Sequence, residues 1–276
     1  VREFIGDLRH RPALLLAVSF LVVVILLAVF APIVTVHEPN TLSRFERLVA
    51  PSSGHWLGTD RFGRDLFSRI IFGSRVSLFV AALSITVGVL VGGAMGVVSG
   101  YLRGKVDEII MRGVDILFAF PPLLLAIALA AALGPSARNA AIAIAIIYIP
   151  VFARVARARV LMEVSNDYVA ALKVIGASSW RISVRHLVPN ISTPIAVQVS
   201  LGLAQALLLE SALSFLGLGA QVPTASWGSI LGEGRFVLTI APWMTLAAGA
   251  VIILTVLSLF ILADGIRDAL DPKGSR

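Results

Sequence analysis

Cysteine is absent from this 276-residue chain, so disulfides, thiolate metal sites and thiol catalysis are excluded, while compartment is left undecided. Charge is scarce too. Asp, Glu, Lys and Arg make up 14% of the residues against 58% hydrophobic types, and the mean hydropathy is +0.93. That balance describes a chain crossing a bilayer several times, not a soluble domain with a large core. The four histidines (His10, His37, His55, His186) are scattered, without the HxxxH or HExxH spacing of a metal site. No GxSxG occurs. Residues 100–105 (GYLRGK) lack the GxxxxGK(S/T) spacing of a phosphate loop, and Val106 stands where a magnesium-binding hydroxyl would be needed. The chain is therefore expected not to be an enzyme and to bind no cofactor or metal. A net charge of +7 could suggest nucleic acid in a soluble protein. Here the basic residues lie between apolar runs, where they set topology instead, and no nucleic-acid partner is expected.

A helix needs about 20 residues to cross the hydrocarbon. Six stretches supply roughly that: 12–36, 76–100, 116–133, 139–161, 191–209 and 240–263. The first is too long for a signal-peptide core and no small-x-small cleavage site follows it. The fourth is the weakest, because Arg154 cuts its apolar run and its end (Arg154, Arg157, Arg159) must project into the cytosol. If both termini are cytosolic, about fifteen Lys and Arg fall inside, including Arg2, Arg9, Lys273 and Arg276, against eight outside. That bias supports this orientation. The expected fold class is an all-α membrane protein with six transmembrane helices. Its expected organisation is an N-terminal helix and outer loop (1–75), a core (76–265) and a cytosolic tail (266–276).

Several local features stand out. Gly88, Gly92, Gly96 and Gly100 recur every four residues, making a smooth ridge where another helix backbone can come close, within the bundle or at a subunit interface. Pro121-Pro122 must break a helix ladder. The loop before residue 76 contains HWLGTDRFGRDLFSRIIFGSR, with a turn at Gly58–Gly63 and an amphipathic interfacial helix expected over 65–71. On chemistry alone it is a charged lid solvating one end of the bundle. Residues 211–232 carry no charge but are broken by Gly217, Gly219, Pro223 and Gly228, which predicts a re-entrant loop buried in protein or lining a cavity. Glu210 stands at its entrance, and an ionisable residue at such a place is a candidate functional group. Ser214, Phe215 and Trp227 accompany it.

The polar interruption at 166–190, NDYVAALKVIGASSWRISVRHLVPN, organises the rest. Val169, Leu172 and Ile175 recur at three-residue spacing, which on a helix puts them on one side. Asp167 and Lys173 suit the two ends of its dipole. Gly176 can take the left-handed conformation that stops a helix, and Ser178 or Ser179 can cap a second one running from Trp180 to about Leu187. By itself the segment could be an amphipathic surface helix of no particular partner.

Gly176-Ala177 followed by HLVPN at 186–190 resembles the coupling-helix motif of ABC importer membrane subunits. Aligned on Gly176, the family's EAA positions fall on Ala170, Ala171 and Leu172, so the glutamate is missing. GTD and GRD at 58–65, the VDILFAFPPLLLAI run, ESALSFLGLG at 210–219 and ADGIRDALDP at 263–272 are similar to the dipeptide, oligopeptide and nickel permeases of that family. The resemblance implies a type I importer permease fold in a bacterial cytoplasmic membrane. It also implies coupling helices at 163–188, with Asp167, Tyr168, Ala171, Lys173, Gly176, Ala177 and Arg181 facing an ATPase. Glu210, Ser214, Phe215 and Trp227 then belong to the translocation path or the outer loop. The implied partners are a second permease, two ATP-binding subunits carrying ATP and magnesium, an extracytoplasmic binding protein and the lipid bilayer. The rival class is an ion-gradient-driven transporter or channel, for which Glu210 is the lone serious relay candidate.

Overall fold

Helices and connecting loops make up the computed structural model, which describes residues 11–269 and holds no strand among them. Arg2, Arg9, Pro272, Lys273 and Arg276, used above for orientation and motif, lie outside the described residues, as does the 270–276 part of the tail. Helix α1 (Pro12–Val29) is apolar all round, with proline in its first turn, where no N–H is needed. Helix α2 (Leu66–Leu102) has 37 residues and is capped by Asp65, which accepts from the Ser68 backbone N–H and hydroxyl, both at 2.8 Å. The separate interfacial helix expected over 65–71 is not found, since α2 runs through residues 75 and 76 without a break. Its charged start is matched by buried partners, described below, so the helix has no reason to stop there.

Arg103 and Gly104, at φ +55° and +59°, turn a corner out of α2. Helix α3 (Gly104–Phe118) is amphipathic, and α4 (Pro122–Leu133) leaves it at 89° across Pro121. The break in the 116–133 stretch falls at the proline pair, as expected, and the helix before it starts earlier, at Gly104. The 12 residues of α4 extend about 18 Å at 1.5 Å per residue, short of the roughly 30 Å of hydrocarbon. Among the described residues five helices are long and apolar enough to cross a membrane, or six where the bent α3–α4 pair counts as one span.

Helix α5 (Ala137–Glu163) is capped by Ser136 and tolerates Pro150 inside. It packs against α2 more extensively than any other pair of elements does. Its basic end is not left to solvent alone. Asp107 of α3 accepts from Arg157 Nε and Nη2 at 2.5 and 2.6 Å. Asp115 accepts from Arg154 at 2.7 Å, and the Arg154 guanidinium lies 3.7 Å from the centre of the Phe118 ring. Then follow α6 (Asp167–Val174), α7 (179–190, widened by a π-type turn at Ser183–Leu187), α8 (Ser192–Phe215), α9 (Trp227–Gly234) and α10 (Pro242–Ala269). One large apolar core joins α1, α2, α4, α5, α8, α9 and α10. A small second core lies under α6 and α7.

Candidate functional site

The segment at 166–190 folds as the hinged pair its sequence predicts. Gly176 has φ +79°. The Ala177 N–H reaches the Leu172 carbonyl at 3.0 Å and the Gly176 N–H reaches Lys173 at 3.1 Å, the paired bonds of a Schellman ending. Ser178 caps α7 through the Arg181 N–H. Val169, Ile182 and Leu187 are buried against Ala156 and Val160 of α5 and against Ile191, so the pair is attached to the bundle by its own core. Tyr168 donates to Glu163 at 2.8 Å, and Asn190 donates to both, at 3.1 and 3.0 Å. Burial, then the hydrogen bond to Glu163, push the Tyr168 hydroxyl above its ordinary range. That triangle ties the end of α5 to the start of α6 and the end of α7.

The opposite side of the pair is open. Asp167, Ala171, Lys173, Gly176 and Arg181 are exposed, while Tyr168 and Ala177 are half-buried. Val174, Ile175 and Trp180 are exposed by 87, 77 and 77%. Large apolar groups of that exposure mark contact surfaces; Val174 and Ile175 adjoin the hinge glycine, while Trp180 lines an apolar groove against residues 89–102 of α2. Ile175 falls outside the helical side expected for it. Val169 is buried and Leu172 half-buried, but α6 ends at Val174, and Ile175 leads outward into the left-handed glycine.

Helix α8 carries the chain about 36 Å, at 1.5 Å per residue, to the other end of the bundle. It continues to Phe215, so the break expected after residue 209 comes later and Glu210 and Ser214 are helical. Glu210 is 1% exposed and accepts from the Ser214 hydroxyl at 2.7 Å, with Ser77, Ser211 and Ser226 close by. Trp227 is fully buried. It donates from its ring to the Ile70 carbonyl at 3.0 Å and from its backbone to Ser77 at 3.2 Å. Phe215 is half-buried, with Arg235 over its ring. A Cβ on Gly228 would overlap the Ser211 backbone, which is why α9 can lie so close to α8. Glu210, Ser214 and Trp227 thus meet inside the chain, as a polar knot joining α2, α8 and α9.

A second cluster holds the outer loop down, and sequence reading misses its key member. Asp60, Arg64 and Arg69 are 0, 2 and 1% exposed, so the charged lid is corrected to a buried network. Asp60 accepts from the Phe62 and Arg64 N–H groups at 2.8 and 3.0 Å and from Arg64 Nε at 2.5 Å. Glu233 of α9 accepts from Arg64 at 2.6 Å and Arg69 at 3.2 Å. Two carboxylates therefore balance two guanidiniums. Glu233 stands just beyond the uncharged stretch 211–232, and an isolated carboxylate at such a place is the signal that could have found it.

The glycine ridge lies against α5. A Cβ on Gly92 would overlap the Ile149 carbonyl, one on Gly96 the Ala153 carbonyl, and those on Gly88 and Gly100 would come within 2.9 Å of the Tyr148 and Val160 side chains. Gly93, outside the ridge, has open space.

Residues 88–276 match the family described as binding-protein-dependent transport system inner membrane component. The chain is 42% identical over 272 residues to the dipeptide transport system permease protein DppC of Alkalihalophilus pseudofirmus, covering 99% of this chain and 90% of that one. It is 40% identical over 273 residues to the glutathione transport system permease protein GsiD of Pectobacterium atrosepticum, with 99% and 91% covered. Among solved structures, the MetNI methionine ABC transporter in inward-facing conformations matches with a TM-score of 0.60 at 16% identity, over 75% of this chain and 98% of that chain. That is a likeness of fold. Membrane-crossing helices, a hinged polar segment at one end and near-complete alignment with permeases converge: this chain belongs to the family of binding-protein-dependent transport system inner-membrane components.

Proposed function

We propose that the chain is one of two related permease subunits in an ATP-driven importer of short peptides. The observation that carries this is the hinged α6–α7 pair, anchored by its own core and leaving Val174, Ile175 and Trp180 exposed. Such a patch fits a cleft of an ATP-binding subunit, and Asp167, Lys173 and Arg181 border it. ATP and magnesium belong to two such subunits, and this chain contributes no catalytic group. When they close, the pair moves as a lever. Its core grips α5, which is held to α2 by the glycine ridge and to α3 by Asp107–Arg157, so motion at the hinge reaches the membrane helices through packed contacts. With the start of α1 and the end of α10 on the cytosolic side beside α6–α7, α9 and the Glu210 knot lie outside, toward an extracytoplasmic binding protein. Short peptides as cargo are supported by the names of the relatives, which specify dipeptides, glutathione and di/tripeptides.

Reconstitution of the whole complex in proteoliposomes tests the proposal. Dipeptide uptake should require ATP and persist when the proton gradient is dissipated; gradient-driven uptake without ATP would overturn it. Gly176→Val should lower uptake and substrate-stimulated ATP hydrolysis at least tenfold while leaving the yield of complex unchanged. A left-handed conformation costs an L residue about 1–2 kcal/mol and more with β-branching, yet no neighbour lies within 4 Å to be displaced. Normal coupling in that variant would remove the hinge from the mechanism.

A further inference from the structure

Helix α1 packs on α10 more than on α2, and the space it leaves is an apolar groove of about 720 Å³ walled by α1, α2, α8 and α10. Leu21, Val29, Phe79, Ala82, Leu207 and Leu262 are among the residues lining it, and of the lining residues Arg75 alone is charged. The lining on α1 runs from residue 18 to residue 29, about 16 Å at 1.5 Å per residue. That is close to half of the roughly 30 Å of hydrocarbon, the depth of one leaflet.

Arg75 ends the GSR sequence, and neither the buried ion network nor the proposed transport cycle uses it. It is exposed, with its guanidinium carbon 5.9 Å from the centre of the Phe72 ring. Among the described residues no carboxylate pairs with it. Arg69 on the same helix shows the contrast, since Asp60 and Glu233 enclose it. An arginine on a membrane helix needs an anion or a route to the interface. Helical side chains lean toward the N-terminus of their helix, so Arg75 reaches toward the capped start of α2, and of the α2 residues in the groove it stands nearest that end. A groove of leaflet depth, apolar along its length with a cation at its polar end, has the charge pattern complementary to an acidic phospholipid. No acid lines it to receive the ammonium of a zwitterionic headgroup.

We propose that this groove binds one anionic phospholipid, with an acyl chain lying along α1 and the phosphate held by Arg75. Guanidinium and phosphate meet through paired, charge-assisted hydrogen bonds. The chain fills the gap that α1 leaves against α2 and α8, and so holds the first helix to the rest of the bundle. With the orientation proposed above, the lipid belongs to the outer leaflet. Its recognition depends neither on that orientation nor on the cargo of the complex.

Native mass spectrometry of the complete complex tests this, in micelles holding equal amounts of phosphatidylglycerol and phosphatidylethanolamine with the same acyl chains. The unaltered complex should retain one phosphatidylglycerol more than the Arg75→Gln complex does, preferred over phosphatidylethanolamine by about fivefold, and Arg75→Lys should keep most of that preference. Ala82→Trp, which fills the groove while leaving the arginine, should displace the same lipid. Arg75 and Ala82 are exposed, so neither change threatens the fold. Retention blind to the headgroup, retention unchanged in Arg75→Gln or Ala82→Trp, or no retained lipid because a helix of the second permease occupies the groove, overturns the proposal. The measurement uses neither ATP nor uptake, so its outcome is separate from that of the import reading.

Discussion

Gly92→Ala should all but abolish recovery of a folded, monodisperse complex, whereas Gly93→Ala, one position along the same helix, should leave yield and thermal stability as they are. The two changes add the same methyl group. At Gly92 it would overlap the Ile149 carbonyl oxygen and approach the Ala153 backbone, while at Gly93 nothing lies within 4 Å. A side chain can change rotamer to make room, but the backbone of a packed helix cannot, so α5 would have to move bodily away from α2. Overpacking costs about 1–3 kcal/mol even where rotamers can adjust. Within a bilayer no hydrophobic gain between helices offsets the loss, because association rests on close van der Waals packing. Since α5 also carries Arg154, Arg157 and the core beneath α6–α7, displacing it disturbs every element proposed to transmit motion. Size-exclusion profiles and unfolding temperatures of the two variants, prepared in parallel, check this. Equal behaviour would mean that the ridge does not hold α2 to α5.

Asp60→Ala should be the second severe change, lowering stability by about 3–5 kcal/mol, the effect of stranding one member of a buried ion pair. The residues Asp60, Arg64 and Arg69 are at most 2% exposed. Removing the carboxylate leaves Arg64 and Arg69 with Glu233 as their remaining acid and two backbone N–H groups without their acceptor. Glu233→Gln should hurt less, because that side chain is 13% exposed and solvent can screen the change. The ordering of the two, from thermal unfolding of the purified complex, distinguishes a buried clamp from a solvated lid. Were Asp60→Ala to shift stability by less than about 1 kcal/mol, the value typical of exposed pairs, the clamp would be refuted.

Much of this architecture could be read along the chain because it is written in local terms. Long apolar runs mark α1, α2, α8 and α10, and a shorter one, cut by Arg154, marks α5. Four glycines at four-residue spacing mark a face of close approach, and a glycine after an amphipathic octet marks the hinge at Gly176. What escaped depends on partners distant in sequence. Asp60, Arg64 and Arg69 looked like surface charge because the residue that neutralises them, Glu233, lies more than 160 positions away. For the same reason α2 begins at Leu66, ten residues earlier than hydropathy allows. Helix α3 was hidden because its charged face is satisfied by Arg154 and Arg157 of α5. The Glu210 knot was visible as an oddity of composition, but its enclosure by α2, α8 and α9 follows from glycines such as Gly228, whose purpose shows only when both helices are in place.

Because the chain has no native cysteine, a single Val174→Cys or Trp180→Cys substitution supplies the most direct test of the central claim, that α6–α7 is the docking element for an ATP-binding subunit. Labelling with a membrane-impermeant maleimide should fail in intact cells, succeed in inside-out vesicles stripped of the ATP-binding subunits, and fall sharply when those subunits are restored. Labelling from outside intact cells, or labelling indifferent to the ATP-binding subunits, would contradict it.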